Sequence, residues 1–217
     1  MSTAMPIGVD DFKKVRENYY FVDKTDFIRQ LIDSHSDVTL ITRPRRFGKT
    51  LTLSMLEYFF SIDRVKESDN LFHGLAIEKA GTEYMKYQGK SPVIFISLKD
   101  IKNASWESML DQWGLFIRNV YLRYKYLCTS DTIDDDMKED FYRITKRKAN
   151  ENELADSLAK LMEIMQAYYN KPVILLIDEY DAPIQQAWER GFYDECIGFM
   201  RRFLGRALKT NASLDFA

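Results

Sequence analysis

Three short runs of apolar and β-branched residues stand out along the chain and predict buried β-strands. They cover residues 38–42, 93–97 and 173–177. Each run is apolar throughout and does not alternate with polar residues, which is typical of strands that are covered on both faces of a parallel sheet. The pattern therefore predicts three strands of one mostly parallel sheet.

Apolar positions spaced three or four residues apart predict helices around these strands. One such pattern covers residues 27–32 and follows Asp23 and Thr25, which are both candidate caps of its first turn. Three further patterns cover residues 51–60, 106–121 and 154–165. Because predicted strands alternate with predicted helices, the sequence indicates an α/β fold.

Residues 129–153 differ from the rest in their charge. An acidic cluster (Asp131, Asp134, Asp135 and Asp136) is followed by a basic cluster at residues 146–148. Runs of charge are normally solvated, so we expect a charged loop or helical insertion here; a mobile lid or a partner surface is the alternative.

Composition and charge exclude several classes of protein. The chain has 217 residues, of which 46% are hydrophobic and 29% charged, values that are too apolar for a disordered protein. A net charge of −2 argues against a dedicated nucleic-acid coat protein. The N-terminus has no secretory signal pattern, and the longest apolar run, residues 173–177, is too short to span a membrane. Two distant cysteines, Cys128 and Cys196, form no metal-ligand or redox spacing. These features indicate a soluble, cytoplasmic protein.

A phosphate-loop motif lies directly after the first predicted strand. Residues 43–50 read Arg-Pro-Arg-Arg-Phe-Gly-Lys-Thr and precede a predicted helix. The last three positions match the Walker A motif, whereas Arg43 occupies the position of its first glycine. Gly48 lets the backbone approach a phosphate, Lys49 places an ammonium on the β- and γ-phosphates, and the Thr50 hydroxyl is a candidate Mg²⁺ ligand. The alternative is an exposed helix start that binds nothing.

The residues before Gly48 extend the predicted nucleotide site. The backbone N–H groups of residues 47–50 lie at a helix N-terminus and form a natural anion cradle. The charge of Arg45 and Arg46 is available to phosphates, to nucleic acid or to a neighbouring acidic face, with solvated surface arginines as the alternative. The predicted nucleotide-binding residues are Arg46, Phe47, Gly48, Lys49 and Thr50.

A second motif follows the third predicted strand, which runs directly into Asp178 and Glu179. A buried strand that ends in a carboxylate is the Walker B arrangement, and Asp178 together with Thr50 suits Mg²⁺, which takes few protein ligands beside the phosphates. Glu179 is the candidate that orients the attacking water, so Glu179 and Lys49 are the predicted catalytic residues. The alternative is that Asp178 caps a helix and Glu179 is merely solvated. Asp181, which precedes Ala182 and Pro183, is predicted to start a helix.

Residues 6–12, 21–25, 43–50, 92–94 and 176–184 together resemble the predicted AAA-ATPase-like family of bacterial proteins, in the family's order. In that family residues 43–50 have the usual phosphate-loop sequence, Arg43 included. The resemblance implies a three-layer P-loop NTPase fold of the ASCE, AAA-like type, in which a later strand separates the Walker B strand from the P-loop strand. It also implies a C-terminal region that is often similar to PD-(D/E)xK nucleases.

The end of the sequence bears on how much of that fold the chain contains. Residues 214–217 read as the opening of another strand, and the 217 residues contain neither the polar sensor of a later strand nor a nuclease motif. We therefore expect residues 1–217 to form a single P-loop domain that is part of a longer protein and is truncated before its last core strands.

The leading hypothesis is a Mg²⁺-dependent ATPase module whose nucleotide cycle drives an attached effector domain; the choice of ATP is implied by the resemblance. The alternative is a nucleotide-gated scaffold that binds ATP with little or no turnover. A P-loop kinase is a weaker hypothesis, because Glu179 next to Asp178 suits activation of water. Expected partners are ATP, a second copy of the chain or a C-terminal effector, and nucleic acid near Arg45 and Arg46. Three arginines on a predicted helix beyond Glu179, namely Arg201, Arg202 and Arg206, leave the arginine finger unassigned.

Overall fold

The computed structural model describes residues 4–42, 44 and 47–217, which form an α/β structure. The helices in chain order are α1 (Phe12–Asn18), α2 (Asp26–Ser34), α3 (Lys49–Phe60), α4 (Val65–Ser68), α5 (Ala76–Lys79), α6 (Thr82–Met85), α7 (Trp106–Arg123), α8 (Asp135–Thr145), α9 (Glu151–Tyr169), α10 (Ala182–Arg190) and α11 (Tyr193–Leu208). Two 3₁₀ turns cover Ile62–Arg64 and Lys125–Thr129. Every one of these helices is too short or too polar to cross a membrane.

Two of the three predicted strands are present. The strand β1 (Val93–Ser97) has the predicted bounds, and β2 (Ile174–Asp178) is shifted by one residue from the predicted run. They are neighbours in a parallel two-stranded sheet, and Ile174 donates a backbone hydrogen bond of 2.9 Å to the carbonyl of Pro92. Both strands are mostly buried, as their continuous apolar pattern predicts.

The prediction of a buried strand at residues 38–42 is wrong. Val38 and Leu40 are 50% and 62% exposed, whereas Thr39 and Ile41 are half-buried. Among the described residues, the backbone hydrogen bonds of this segment are confined to Thr39, which donates to Ala217 over 2.7 Å. A ladder this short defines no strand, and the alternation of exposed and half-buried side chains shows that one face of the segment is open to solvent.

Residues 214–217 pair with β2 as the sequence predicts for the opening of a strand. Leu214 forms a parallel bridge with Val173, and the carbonyl of Phe216 accepts a 3.0 Å hydrogen bond from Leu175. Ala217 donates in turn to the carbonyl of Asp37 over 2.9 Å. The order of neighbours is therefore the 37–39 segment, the 214–217 segment, β2 and β1.

The four predicted helices at residues 27–32, 51–60, 106–121 and 154–165 are confirmed as α2, α3, α7 and α9. The structure adds helices that the sequence analysis did not predict, including α1 and the four-residue helices α4, α5 and α6. A four-residue helix has barely one turn, so it leaves no repeat of apolar positions from which to predict it.

The chain divides into two compact units. The first comprises Met1–Phe95, Ile174–Leu176 and Phe216–Ala217. Its core contains stacked and edge-to-face aromatic rings, with the ring centroids of Phe12 and Phe72 5.2 Å apart and those of Phe59 and Phe72 5.1 Å apart. Helix α3 runs through this core, and most of its residues are buried.

The second unit comprises Ile96–Val173 and Ile177–Asp215. Its core is built around the fully buried Trp113, whose ring centroid lies 5.0 Å from those of Phe199 and Phe203. The charged stretch at residues 129–153 lies in this unit and contains α8, which buries Phe141 and Ile144 and exposes its acidic first turn. The single-domain organisation that we infer from the sequence remains a prediction.

Candidate functional site

The start of α3 carries the described part of the phosphate loop. Gly48 directly precedes the helix and has φ = 74°, in the left-handed region that favours glycine. A Cβ placed on Gly48 would meet no atom of the described residues within 4 Å, and glycine suits this position because of its left-handed backbone conformation. The turn presents the first residues of α3, Lys49 and Thr50, at the positive end of the helix dipole.

Helix α3 is anchored along its length, which gives Lys49 and Thr50 a rigid support. The backbone N–H of Phe12 donates a buried hydrogen bond of 3.0 Å to the hydroxyl of Ser54. One turn further on, the hydroxyl of Tyr58 donates to the carboxylate of Asp11 over 3.1 Å. Both contacts fix the helix to the N-terminal segment.

Phe47 and Arg46 are the other two predicted nucleotide-binding residues, and the structure describes Phe47 alone of these two. Phe47 is described: its side chain is 62% exposed and its N–H donates a 3.3 Å hydrogen bond to the carbonyl of Pro44. Arg46 lies outside the described residues, as do Arg43 and Arg45. The predicted nucleotide-binding residues that the structure describes are therefore Phe47, Gly48, Lys49 and Thr50.

The end of β2 carries the second motif. Asp178 is the last residue of the strand and is 5% exposed, and its backbone carbonyl accepts a 3.0 Å hydrogen bond from Leu98. The carboxylate of Asp178 and the hydroxyl of Thr50 are hard oxygen donors, so their chemistry fits Mg²⁺.

Glu179 has an unusual backbone conformation. Its φ is 53°, in the left-handed region that residues other than glycine, asparagine and aspartate rarely adopt. Its carbonyl accepts a 3.1 Å hydrogen bond from Ala182, which closes the turn between β2 and α10. A left-handed glutamate costs about 1–2 kcal/mol, and such strain concentrates at functional positions. Glu179 is half-buried.

Asp181 has the structural role that the sequence predicts. It precedes α10, Pro183 lies in the first turn of that helix, and the carbonyl of Asp181 accepts a 2.9 Å hydrogen bond from Gln185. Its side chain makes no capping hydrogen bond, so Asp181 starts the helix through its backbone.

The predicted site residues thus fall into two groups. Lys49 and Thr50 lie at one helix start in the first unit, whereas Asp178 and Glu179 lie at one strand end in the second. Within the described ranges, no group of three or more histidine, cysteine, aspartate or glutamate side chains is arranged to hold a metal. A nucleotide-bound Mg²⁺ needs few protein ligands, because phosphate oxygens and water supply the others.

Of the two candidate caps of α2, Thr25 is the N-cap residue, but its side chain makes no capping hydrogen bond to that helix. Instead, the carboxylate of Asp23 accepts a 2.8 Å hydrogen bond from the backbone N–H of Ala76, and the fully buried hydroxyl of Thr25 accepts one of 3.1 Å from Ile77. The two side chains also bond to each other over 2.7 Å. The position of Thr25 as the cap of α2 is therefore confirmed, while both side chains cap α5, far along the chain.

The pKa of Asp23 reflects this environment. Partial burial alone would raise it, but the hydrogen bonds from Thr25 and Ala76 and the nearby charge of Arg16 outweigh that effect and lower it below the ordinary value. The ionised form of Asp23 is thus part of the folded state.

A pocket beside Gly48 was not predicted from the sequence. Its volume is about 140 Å³, and it lies between the N-terminal residues and the first turns of α3. Its lining includes Met5, Tyr20, Val22, Lys24, Leu51 and Met55. These residues come from separate parts of the first 55 residues, so no single sequence motif marks the pocket.

The arginines of α11 differ in their contacts. Arg202 donates two hydrogen bonds to Asp156, of 2.8 and 2.6 Å, and a third to Asn152. Arg206 lies 3.3 Å from the same carboxylate. Arg202 and Arg206 thus contact a carboxylate within their own unit, and all three arginines are exposed.

Comparisons with known proteins show the family of the chain. A family model described as "Predicted AAA-ATPase" matches residues 6–217. The chain is also 29% identical over 184 residues to a protein of Azotobacter chroococcum mcd 1 described as "Uncharacterized protein in vnfD 5'region". That match covers 83% of this chain and 29% of the relative, so the chain spans less than a third of the relative's length. No solved structure matches the chain.

Proposed function

The chain belongs to the predicted AAA-ATPase family, and from this premise we propose that it binds ATP with Mg²⁺ and hydrolyses the β–γ phosphoanhydride. The proposal is supported by one feature in each unit: a left-handed Gly48 directly before Lys49 and Thr50, and a buried Asp178 at the end of a parallel strand. A glycine turn into a helix is suited to phosphate, and a strand-end carboxylate is suited to its magnesium ion.

The neighbours of β2 support a P-loop NTPase fold. The 214–217 segment lies between β2 and the 37–39 segment that leads into the phosphate loop. This is the order expected for an ASCE-type sheet, in which a later strand separates the Walker A and Walker B strands. We therefore propose the three-layer P-loop architecture, with ligands at the carboxyl ends of its strands.

Each residue has a distinct proposed role. Lys49 binds the β- and γ-phosphates, and backbone N–H groups at the start of α3 donate to phosphate oxygens. Thr50 and Asp178 would hold Mg²⁺, which neutralises negative charge on the phosphates when it is bound. Glu179 orients a water molecule and accepts its proton as the oxygen bonds to the γ-phosphorus; the bond to the bridging oxygen breaks and ADP leaves.

Titration calorimetry with Mg²⁺ and ATP tests the binding step. Lys49→Ala should weaken binding by about 10- to 100-fold, since hydrogen bonds to charged groups contribute about 1.5–3 kcal/mol. Lys14→Ala is the matched control, because Lys14 is an exposed lysine on α1, outside the phosphate loop. Equal affinity in wild type and Lys49→Ala would contradict the proposal.

Phosphate release tests the hydrolytic step. Glu179→Gln should retain ATP binding and lose about 10²- to 10⁴-fold in turnover, the usual contribution of a general base. Unchanged turnover would remove Glu179 from the reaction.

A second candidate function is ATP binding with little turnover. One observation favours it: Arg202 and Arg206 both contact Asp156, so in this structure these two arginines are directed to a carboxylate of their own unit. Wild-type chain that binds ATP and releases no phosphate would support this scaffold function. For either function, we propose that the nucleotide state of this domain controls an attached effector domain.

A further inference from the structure

We propose that an exposed aromatic surface at the corner between α10 and α11 binds a basic amphipathic helix of another protein. This surface, the Trp188 surface, consists of Ile184 and Trp188 on α10 and Tyr193 at the start of α11. The inference is independent of ATP binding, because it uses none of the predicted nucleotide-binding, magnesium or catalytic residues. It goes beyond the proposed function, which locates no partner surface on the chain.

The exposure of Trp188 is the first argument. Its side chain is 72% exposed, the largest exposed fraction of any aromatic side chain in the part of the chain that the structure describes. The indole is nevertheless held in place, because it meets the ring of Tyr193 edge-to-face with 5.6 Å between the centroids. Tryptophan is among the residue types most enriched at the centres of protein interfaces. A fixed and exposed indole is therefore typical of an interface anchor.

The backbone beneath the surface is preformed. Gly191 turns the chain between α10 and α11 with φ = 84°. The N–H groups of Gly191 and Phe192 both donate to the carbonyl of Ala187, over 2.9 and 3.1 Å. The positions of Trp188 and Tyr193 on the two sides of this turn are thus fixed before a partner binds, and association does not have to order them.

The spacing of the apolar residues indicates the shape of the partner. Ile184 and Trp188 are four residues apart on α10, so they lie on one face of the helix, about 6 Å apart along its axis. Ile184 is half-buried and Trp188 is exposed. A second helix with apolar residues at the same spacing packs against such a row. An extended peptide, whose side chains alternate with a period of two, matches it less well.

The charge around the Trp188 surface indicates the charge of the partner. Residues 181–195 contain four acidic side chains and one basic side chain, all exposed: Asp181, Glu189, Arg190, Asp194 and Glu195. Among the described residues, none of these four carboxylates forms an ion pair, whereas Asp156 on the neighbouring α9 is paired with Arg202.

Unpaired carboxylates are available to lysine and arginine side chains of a partner, and complementary charge speeds association and disfavours acidic partners. The same carboxylates repel the phosphates of nucleic acid and of anionic lipid. A basic protein segment is therefore the occupant that both the apolar row and the charge favour.

The first test is titration calorimetry of the whole chain with two synthetic amphipathic helices of about 18 residues, or five turns. One is built from leucine and lysine, the other from leucine and glutamate. The leucine–lysine peptide should bind, more weakly at about 0.3 M than at about 0.05 M salt, because salt screens exposed charges. Equal binding of the two peptides, or no binding of the leucine–lysine peptide, would overturn the proposal.

Trp188→Ser locates the binding. It should weaken the affinity for the leucine–lysine peptide at least about 30-fold, the loss typical of a central interface tryptophan. Leu115→Ser is the matched control, because Leu115 is 44% exposed on α7 of the same unit and lies outside the Trp188 surface. It should leave the affinity unchanged. Equal affinity of Trp188→Ser and wild type would overturn the proposal.

Tryptophan emission gives a second measurement on the wild-type chain. Trp188 is exposed, whereas Trp106 is half-buried and Trp113 is buried. A peptide that covers Trp188 should therefore shift the emission to shorter wavelength, and the shift should be absent in Trp188→Ser. An unchanged emission at saturating peptide would place the contact elsewhere and overturn the proposal.

A double variant tests the charge. Glu189→Gln with Asp194→Asn removes the two carboxylates that follow Trp188 and Tyr193 in the sequence, and should weaken the leucine–lysine peptide by about 2- to 30-fold, the range for two exposed ion pairs. Asp131→Asn with Asp136→Asn removes as much exposed charge elsewhere in the same unit and should have no effect. Equal weakening by both double variants would overturn the charge complementarity of this surface.

Sedimentation distinguishes a partner protein from a second copy of the chain. Wild type and Trp188→Ser should have the same oligomeric state. A wild-type dimer that Trp188→Ser dissociates would make a second copy the occupant and overturn the proposal.

Discussion

The carbonyl oxygen of Gly48 accepts two hydrogen bonds from Thr52, one from the backbone N–H and one from the side-chain hydroxyl, each 2.9 Å long. The backbone bond is the ordinary hydrogen bond of a helix, and the hydroxyl of Thr52 adds a second hydrogen bond to the same carbonyl. Because Thr52 is buried, both bonds are shielded from water. The left-handed turn at Gly48 is therefore fixed to the helix that follows it.

Gly48→Ala should lower both stability and ATP affinity. The left-handed conformation costs a residue with a Cβ about 1–2 kcal/mol, and the stiffer unfolded chain offsets part of this, so we expect a net loss of roughly 1 kcal/mol in urea unfolding. Gly198→Ala is the matched control, because Gly198 lies inside α11 with open space around its Cβ position. It should gain up to about 1 kcal/mol from helix propensity. If the Gly48→Ala chain is as stable as wild type, the left-handed conformation at position 48 does not strain a residue with a Cβ.

Glu179→Gly should raise stability while it abolishes turnover. Glycine adopts the φ of 53° without strain, and we expect a gain of up to about 1 kcal/mol in the free energy of unfolding. Thr210→Gly relieves a φ of 53° elsewhere in the same unit, and should be stabilising without changing phosphate release. Loss of stability in Glu179→Gly would show that the glutamate side chain, not its backbone, stabilises the turn.

Thr25→Val should destabilise the first unit. Valine conserves the shape of the buried side chain but removes the hydroxyl that accepts from the N–H of Ile77. A buried N–H that loses its partner costs about 1–3 kcal/mol, which urea unfolding can measure. Thr82→Val serves as the control, because Thr82 is an exposed threonine at the start of α6, outside the cap of α5. Similar losses in both variants would mean that the loss does not come from the cap of α5.

Asp23→Asn should change how stability depends on pH. The native pKa of Asp23 is lowered, so its ionised form stabilises the fold above the unfolded pKa of about 3.9 and this contribution is lost as the pH falls through the native pKa. The difference in unfolding free energy between wild type and Asp23→Asn should therefore be largest near neutral pH and shrink below about pH 4. A difference that is constant from neutral to acid pH would contradict the ionic role.

The parts of the fold that the sequence predicted well have local causes. Helix α3 follows from apolar residues that recur with the helical period, and β1 and β2 follow from continuous apolar runs with polar ends. The positions of Asp178 and Glu179 were predicted by the same reasoning, because these two carboxylates directly follow the apolar run that predicts β2.

The parts that the sequence predicted poorly depend on distant partners. Asp23 and Thr25 look like caps of the next helix, yet the N–H groups that they bond lie 53 and 52 residues further on. Residues 38–42 look like a buried strand, but an apolar run does not by itself show which parts of the chain pack against its two faces. The pocket beside Gly48 combines four separate stretches of chain, and their spacing in the sequence does not show that they meet.

The sequence by itself determined which residues are chemically able to bind a magnesium nucleotide, since Gly48, Lys49, Thr50, Asp178 and Glu179 stand at the ends of elements that their neighbours' periodicity defines. Only the tertiary structure decided that Tyr20, Val22 and Lys24 surround a pocket beside Gly48, that Asp23 and Thr25 cap α5, and that Glu179 is left-handed. The physical reason is range: periodicity and motif spacing express interactions between near neighbours, whereas burial, backbone strain and pocket shape arise from residues that meet only when the chain is folded.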